Sequence, residues 1–103
     1  MRGPLETCPG CRITFAVPAA IAAARARRLD LLAEHERAVE YLANVVMRLP
    51  AWYAALEEVR AHAARARGEA AALAAGRFAA AAHKFRTAGQ PLDAARCEAL
   101  AAI

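Results

Sequence analysis

Between Pro18 and Leu49 the apolar positions recur at helical intervals. Leu32, His35, Val39, Leu42, Val46 and Leu49 follow one another in steps of three and four, which aligns them on one side of a helix as a seam for a second helix. Ile21 and Leu29 carry the apolar side toward the N-terminus, where Arg25 and Arg28 interrupt it. At "LPAW" the residue before Pro50 is pushed out of the α region, and Pro50 is suited to open a new helix. The pattern therefore predicts a helix over about 18–49 and another over about 50–75. The second has a stripe of Trp52, Leu56, Val59, Ala63, Ala66, Ala70 and Leu73. Joined by so short a connection, the two form a long antiparallel hairpin. Gly68 is its weak point, since glycine inside a helix costs about 1 kcal/mol relative to alanine.

Beyond it, Gly76 and Gly89 bracket a helix over about 77–88, with Gly89 placed as a C-terminal glycine. "QPLD" is a turn, and Pro91 starts a last helix over about 91–103. Residues 1–17 differ from the rest. Pro4, Pro9, Gly3, Gly10, Cys8 and Cys11 fall here, and Ile13, Phe15 and Val17 alternate with Arg12, Thr14 and Ala16, the period of a short half-buried strand. The expected fold is all-α: a long hairpin and a short C-terminal hairpin over 18–103, preceded by a small knuckle and strand element over 1–17.

Composition supports helix nearly everywhere. Alanine dominates the chain, serine is absent, and Asn44 and Gln90 are the only side-chain amides. At 103 residues this is one domain with a modest core, small enough to benefit from a metal or a partner. The formal charge of +4 is mildly basic. Arg25, Arg27 and Arg28 cluster, as do Arg60, Arg65 and Arg67, but Asp30, Glu34, Glu36, Glu40, Glu57 and Glu58 are interleaved with them, the pattern of solvated helix surfaces. "AAIAAARARRL" is too short an apolar run to span a membrane. Neither a secretory signal nor a disulfide framework is evident in a chain with three cysteines, so a cytoplasmic location is expected.

Cys8 and Cys11 are spaced to hold one metal ion from one side. Pro9 and Gly10 between them suit the centre of a tight turn, glycine supplying a positive φ if that turn is type II. "CPGCRITFAVP" resembles the first half of a family of small zinc ribbons opening with CPxCxxxFxVP, matched here by Cys8, Pro9, Cys11, Phe15, Val17 and Pro18. The resemblance covers residues 8–18 and implies zinc ligation by Cys8 and Cys11, with Phe15 packed beneath. Family members continue with a second CxxC, and this chain has none. The two remaining ligands must come from a second copy of the chain, from Cys97, or from His35, His62 or His83. His83 falls on the outer face of its helix, and Cys97 reads as a small apolar interface residue. A second copy is the simpler closure, with one zinc per two chains. A thioredoxin-like role for the pair is less well supported, because such motifs open a helix beside a βαβ unit and no sheet is expected here.

The C-terminal segment resembles the second helix of a tetratricopeptide repeat, through Gly76, Phe78, Ala81, Phe85 and Ala88. The helix before it matches poorly, at Gly68 and Glu69. A single unit of this kind implies repeat-like packing of a helical hairpin and not an array. Phe78 and Phe85 are then expected in the core, whereas Tyr41, off the main seam, is expected as an exposed contact residue.

No nucleophile–base set, phosphate loop or clefted carboxylate pair stands out, so no enzyme is expected. The sequence points to a non-enzymatic protein-interaction module with a structural zinc knuckle, a homodimer with a further protein partner of unknown identity. The alternative is a small DNA- or RNA-binding regulator using Arg12 with Arg25, Arg27 and Arg28, and no membrane association is expected.

Overall fold

Each helix of the protein begins or ends on a local signal, and together these signals set the architecture. The computed structural model describes residues 8–103, so the first seven residues of the expected knuckle segment lie outside the described residues. Helix α1 (Pro9–Arg25), α2 (Leu29–Tyr41), α3 (Pro50–Ala66), α4 (Ala71–Thr87) and α5 (Pro91–Ala101) follow in order, with a π-helical turn over Leu42–Met47 extending α2. Prolines open α1, α3 and α5, where the missing N–H is no loss and the fixed φ already suits a helix.

Three of the connections use one device. Gly68 and Gly89 take positive φ, and the next amide reaches back to close the helix, Glu69 to the Ala64 carbonyl and Gln90 to the Phe85 carbonyl. Arg27 does the same without being a glycine: its φ is 55°, and the Arg28 amide donates to the Ala23 carbonyl at 2.9 Å. Arg48, which terminates the π turn at φ 52°, is likewise left-handed. The first three are Schellman-type closures, and a left-handed arginine costs about 1–2 kcal/mol in local strain.

The all-α class holds, but the expected long hairpin does not. The helix expected over 18–49 is divided at Ala26–Arg28, because α1 ends there and α2 turns back against it. The helix expected over 50–75 ends at Ala66, where Gly68 breaks it. The helix expected over 77–88 begins at Ala71, so Gly76 lies inside α4 and does not precede it. The strand expected at Ile13–Val17 is helix, and α1 runs through Pro18, across the boundary expected at 17/18. What wins over the two-residue alternation is a longer helical face: Ile13, Ala16, Ala20, Ala23 and Ala24 are all buried. Pro18 lacks an amide proton and is exposed, so its place in the helix leaves no buried group unpaired.

Helix α3 is the centre. Ten of its 17 residues are buried, as expected of a helix packed on more than one side. It contacts α1, α2 and α4, and α4 in turn carries α5. On one side Leu56 and Val59 join Ile13, Ala16 and Ala20 of α1 and Val39, Leu42 and Ala43. On the other, Ala54 and Ala55 meet Ala81, Ala82, Phe85, Ala94 and Cys97. Phe78 is fully buried and Phe85 nearly so, as the C-terminal pattern anticipated. The expected seam divides: Leu32, Val39 and Leu42 are covered within the chain, whereas Val46 and Leu49 are exposed, as are Tyr41, expected off the seam, and Val45.

Candidate functional site

Cys8 and Cys11 occupy the first turn of α1. Cys8 is the N-cap, with extended backbone (φ −83°, ψ 111°), Pro9 opens the helix, and Cys11 is the third helical residue. The Cys11 amide donates to Cys8 Sγ at 3.3 Å, so a thiol does what a serine or aspartate oxygen does at other helix starts. Gly10 does not adopt the positive φ of a type II turn: it continues the helix, and its carbonyl accepts from Thr14 Oγ1 at 2.7 Å. The knuckle predicted as a β-type turn leading into a strand is therefore a helix start. That supplies half of the context in which CxxC pairs are reactive, although no strand lies beside it among the described residues.

The two sulfurs differ in character. Cys8 is lowered from the ordinary thiol value, first by a hydrogen bond from the Cys11 side chain and then by the Cys11 amide. Cys11 is raised by that same hydrogen bond. Ionisation therefore begins at Cys8, with the Cys11 thiol as its donor, and unpaired amides at the helix start favour the negative charge. Cys11 is exposed and Cys8 half-buried.

A shallow apolar depression surrounds the pair, lined by Cys8, Gly10, Cys11, Thr14, Phe15 and Trp52. Phe15 does not lie beneath a metal site as the zinc-ribbon resemblance implied. It is 66% exposed, and its ring meets the His35 imidazole edge-on at 5.9 Å. The π turn packs beside the same half of α1, since Leu42 and Ala43 bury against Ile13, Ala16 and Ala20.

The other candidate ligands are elsewhere. Cys97 is fully buried among Ala54, Ala81, Phe85 and Ala94, and burial with the nearby Glu58 carboxylate pushes its thiol up to about 12. His62 is buried with its ring edge-on to Phe78 at 4.9 Å. His83 is exposed on α4, as the helical phase predicted, and so does not face Cys97. No group of three or more His, Cys, Asp or Glu residues is arranged to hold a metal among the described residues.

One cluster escaped the sequence reading. Glu58, expected on a solvated surface, is 2% exposed. Its carboxylate accepts from Arg96 Nη2 at 2.7 Å and Arg96 Nε at 3.0 Å, with His62 Nε2 at 3.7 Å. Arg96 also donates to Asp93 at 2.7 Å. Burial raises the Glu58 carboxyl, but His62 and Arg96 together outweigh it and hold it at about 2. The available signal was the Glu58–His62 spacing of one helical turn on a helix apolar on several sides. The cluster ties α5 to α3, and Arg65 adds a second tie by donating to the Leu100 carbonyl at 2.7 Å while lying over the Phe78 ring.

Most basic residues are interleaved with acids, and where Arg60, Arg67 and Arg77 line one depression they share it with Glu36 and Glu69. Arg60, Arg67, Arg77, Lys84, Arg86 and Arg96 are each within ion-pair distance of a carboxylate. Arg12 and Arg25 stand near opposite ends of α1, about 20 Å apart at 1.5 Å per residue. No helix is long and apolar enough to cross a membrane among the described residues. No family model matches the chain, and no curated protein or solved structure shows significant similarity to it.

Proposed function

We propose that this chain is a non-enzymatic protein-interaction module that pairs with a second copy through the Cys8–Cys11 end, two thiolates from each copy holding one structural zinc ion. One observation carries the reading: two adjacent thiols lie at an accessible helix start, and no third donor joins them among the described residues. Such a pair fits half of a closed tetrahedral site, which takes four ligands. Zinc would supply a structural cross-link there, worth on the order of 10 kcal/mol to assembly.

The neighbouring surface supports association. Phe15 on α1 and, in and beside the π turn, Tyr41, Val45, Val46 and Leu49 are exposed, and exposed apolar side chains gathered on one short segment of a small protein mark an interaction site. A π turn ending in a left-handed arginine presents Val45 and Val46, and such irregular backbone concentrates at functional positions. In this reading α3–α5 form the repeat-like scaffold, with Phe78 and Phe85 as anchors, and the protein works in the cytoplasm, where thiols stay reduced. The regulator of DNA or RNA is the weaker alternative, because Arg12 stands at the opposite end of α1 from Arg25, Arg27 and Arg28 and most other cations are paired.

Sedimentation of the zinc-loaded and chelated protein tests the reading. A dimer that becomes monomeric with chelator, and with Cys8→Ser, is the expected result. A monomer in both conditions would overturn it.

A further inference from the structure

The same pair that is half complete for zinc is complete for another reaction. A disulfide needs two sulfurs, and Cα atoms about 4.4–6.8 Å apart. Cys8, the N-cap, and Cys11, the third helical residue, are about one helical turn apart, and the Cys11 amide already lies 3.3 Å from Cys8 Sγ. Closing the bond requires rotation of side chains and no displacement of α1. Cys11 is exposed, and Cys8 is half-buried beside a depression open to solvent, so a small disulfide can reach both. Cys97, fully buried among α3, α4 and α5, cannot compete.

We infer that Cys8 and Cys11 form a reversible dithiol–disulfide switch within one chain, exchanging with small-molecule disulfides of the glutathione class. One thiolate of the pair attacks a sulfur of the external disulfide, forming a mixed disulfide and releasing one thiol. The second thiolate of the pair attacks the mixed disulfide, closes the Cys8–Cys11 bond and releases the second thiol. Two protein thiols are oxidised and one external disulfide is reduced to two thiols. Reaction with excess external thiol reverses both steps.

The inference stands on the geometry of the pair alone, and one consequence rests on the proposed function. In the closed disulfide neither sulfur is a thiolate, so zinc and the paired state are both lost on oxidation. The switch then sets when two copies associate.

The test uses the full chain, kept metal-free with chelator and incubated with oxidised glutathione, followed by alkylation and peptide mass mapping. The expected product is a monomer carrying a Cys8–Cys11 cross-link, with Cys97 modified only after unfolding. Cys8→Ser and Cys11→Ser should each retain a glutathione adduct on the remaining cysteine, accumulating at least about tenfold more of it than the unsubstituted chain, because no second thiol resolves it. Stable glutathione adducts on both cysteines of the unsubstituted chain, or disulfides only between chains, would overturn the switch. Zinc bound by the reduced protein is measured separately. Failure of zinc sharing with a cross-link still formed removes the proposed function alone, and zinc sharing without a cross-link removes the switch alone.

Discussion

The protein carries its thiols in two contrasting settings. At the start of α1, Cys11 is exposed and Cys8 half-buried, Cys8 ionises more readily than an ordinary thiol, and their surroundings are apolar and open. In α5, Cys97 is enclosed and held neutral by burial, beside a carboxylate whose charge is met by Arg96 and His62. Polar side chains in the second region have found their partners inside the chain, and no buried side-chain nitrogen or oxygen lacks a hydrogen bond among the described residues. In the first region the chemistry is left open. Residues that stabilise a fold are satisfied within it, and residues that act on something else have unspent capacity at the surface.

The largest effects should fall in the enclosed region. Phe78→Ala and Phe85→Ala should each destabilise the protein by about 3–5 kcal/mol in urea unfolding, the cost of a large cavity. Phe15→Ala, with its ring mostly in water, should change the stability of the metal-free monomer by no more than about 0.5 kcal/mol. Equal losses at Phe15 and Phe78 would erase the distinction between the two regions.

Next comes the buried ion pair. Arg96→Ala leaves Glu58 enclosed without its main partner and should cost about 3 kcal/mol, at the lower end of the range because the Arg96 side chain is half in water. The same cluster predicts a pH dependence. The Glu58 carboxyl is held at about 2, below its ordinary 4.5, so its contribution is fully present above about 4.5 and is lost as pH falls toward about 2. Urea midpoints should fall across that window, and the Glu58→Gln variant should show a shallower decline. Matching profiles for the two proteins would contradict the assignment.

The smallest effect on stability is expected at the open region. Serine caps a helix at least as well as cysteine, so Cys8→Ser should leave the thermal midpoint of the metal-free monomer unchanged or slightly raised, by less than about 1 kcal/mol in free energy. A large loss of stability would mean that Cys8 is structural and would merge the two regions.

Much of the helical framework was legible because its punctuation is local. Pro50 and Pro91 open helices as read, Gly89 closes one, and the aromatic spacing placed Phe78 and Phe85 inside. The break at Ala26–Arg28 was not legible because its left-handed residue is Arg27, where glycine would have announced it. The start of α4 carried no signal either, since Ala70 precedes it without a capping side chain. At the N-terminus two periodicities competed over the same residues. Ile13, Phe15 and Val17 suggested a strand, but Ile13, Ala16 and Ala20 formed the face that found something to bury against. Of the candidate site, the pairing of Cys8 with Cys11 was legible from spacing. Its helical setting was not, and neither was the burial of Glu58, which depends on how many helices surround α3.

Native mass spectrometry of the reduced protein with added zinc tests the central claim most directly, because chain number and metal number are read from the same ion. Two chains carrying one zinc ion, with Cys8→Ser appearing only as a metal-free monomer, is the predicted result. One zinc per single chain, or a dimer that persists without metal in Cys8→Ser, would contradict it.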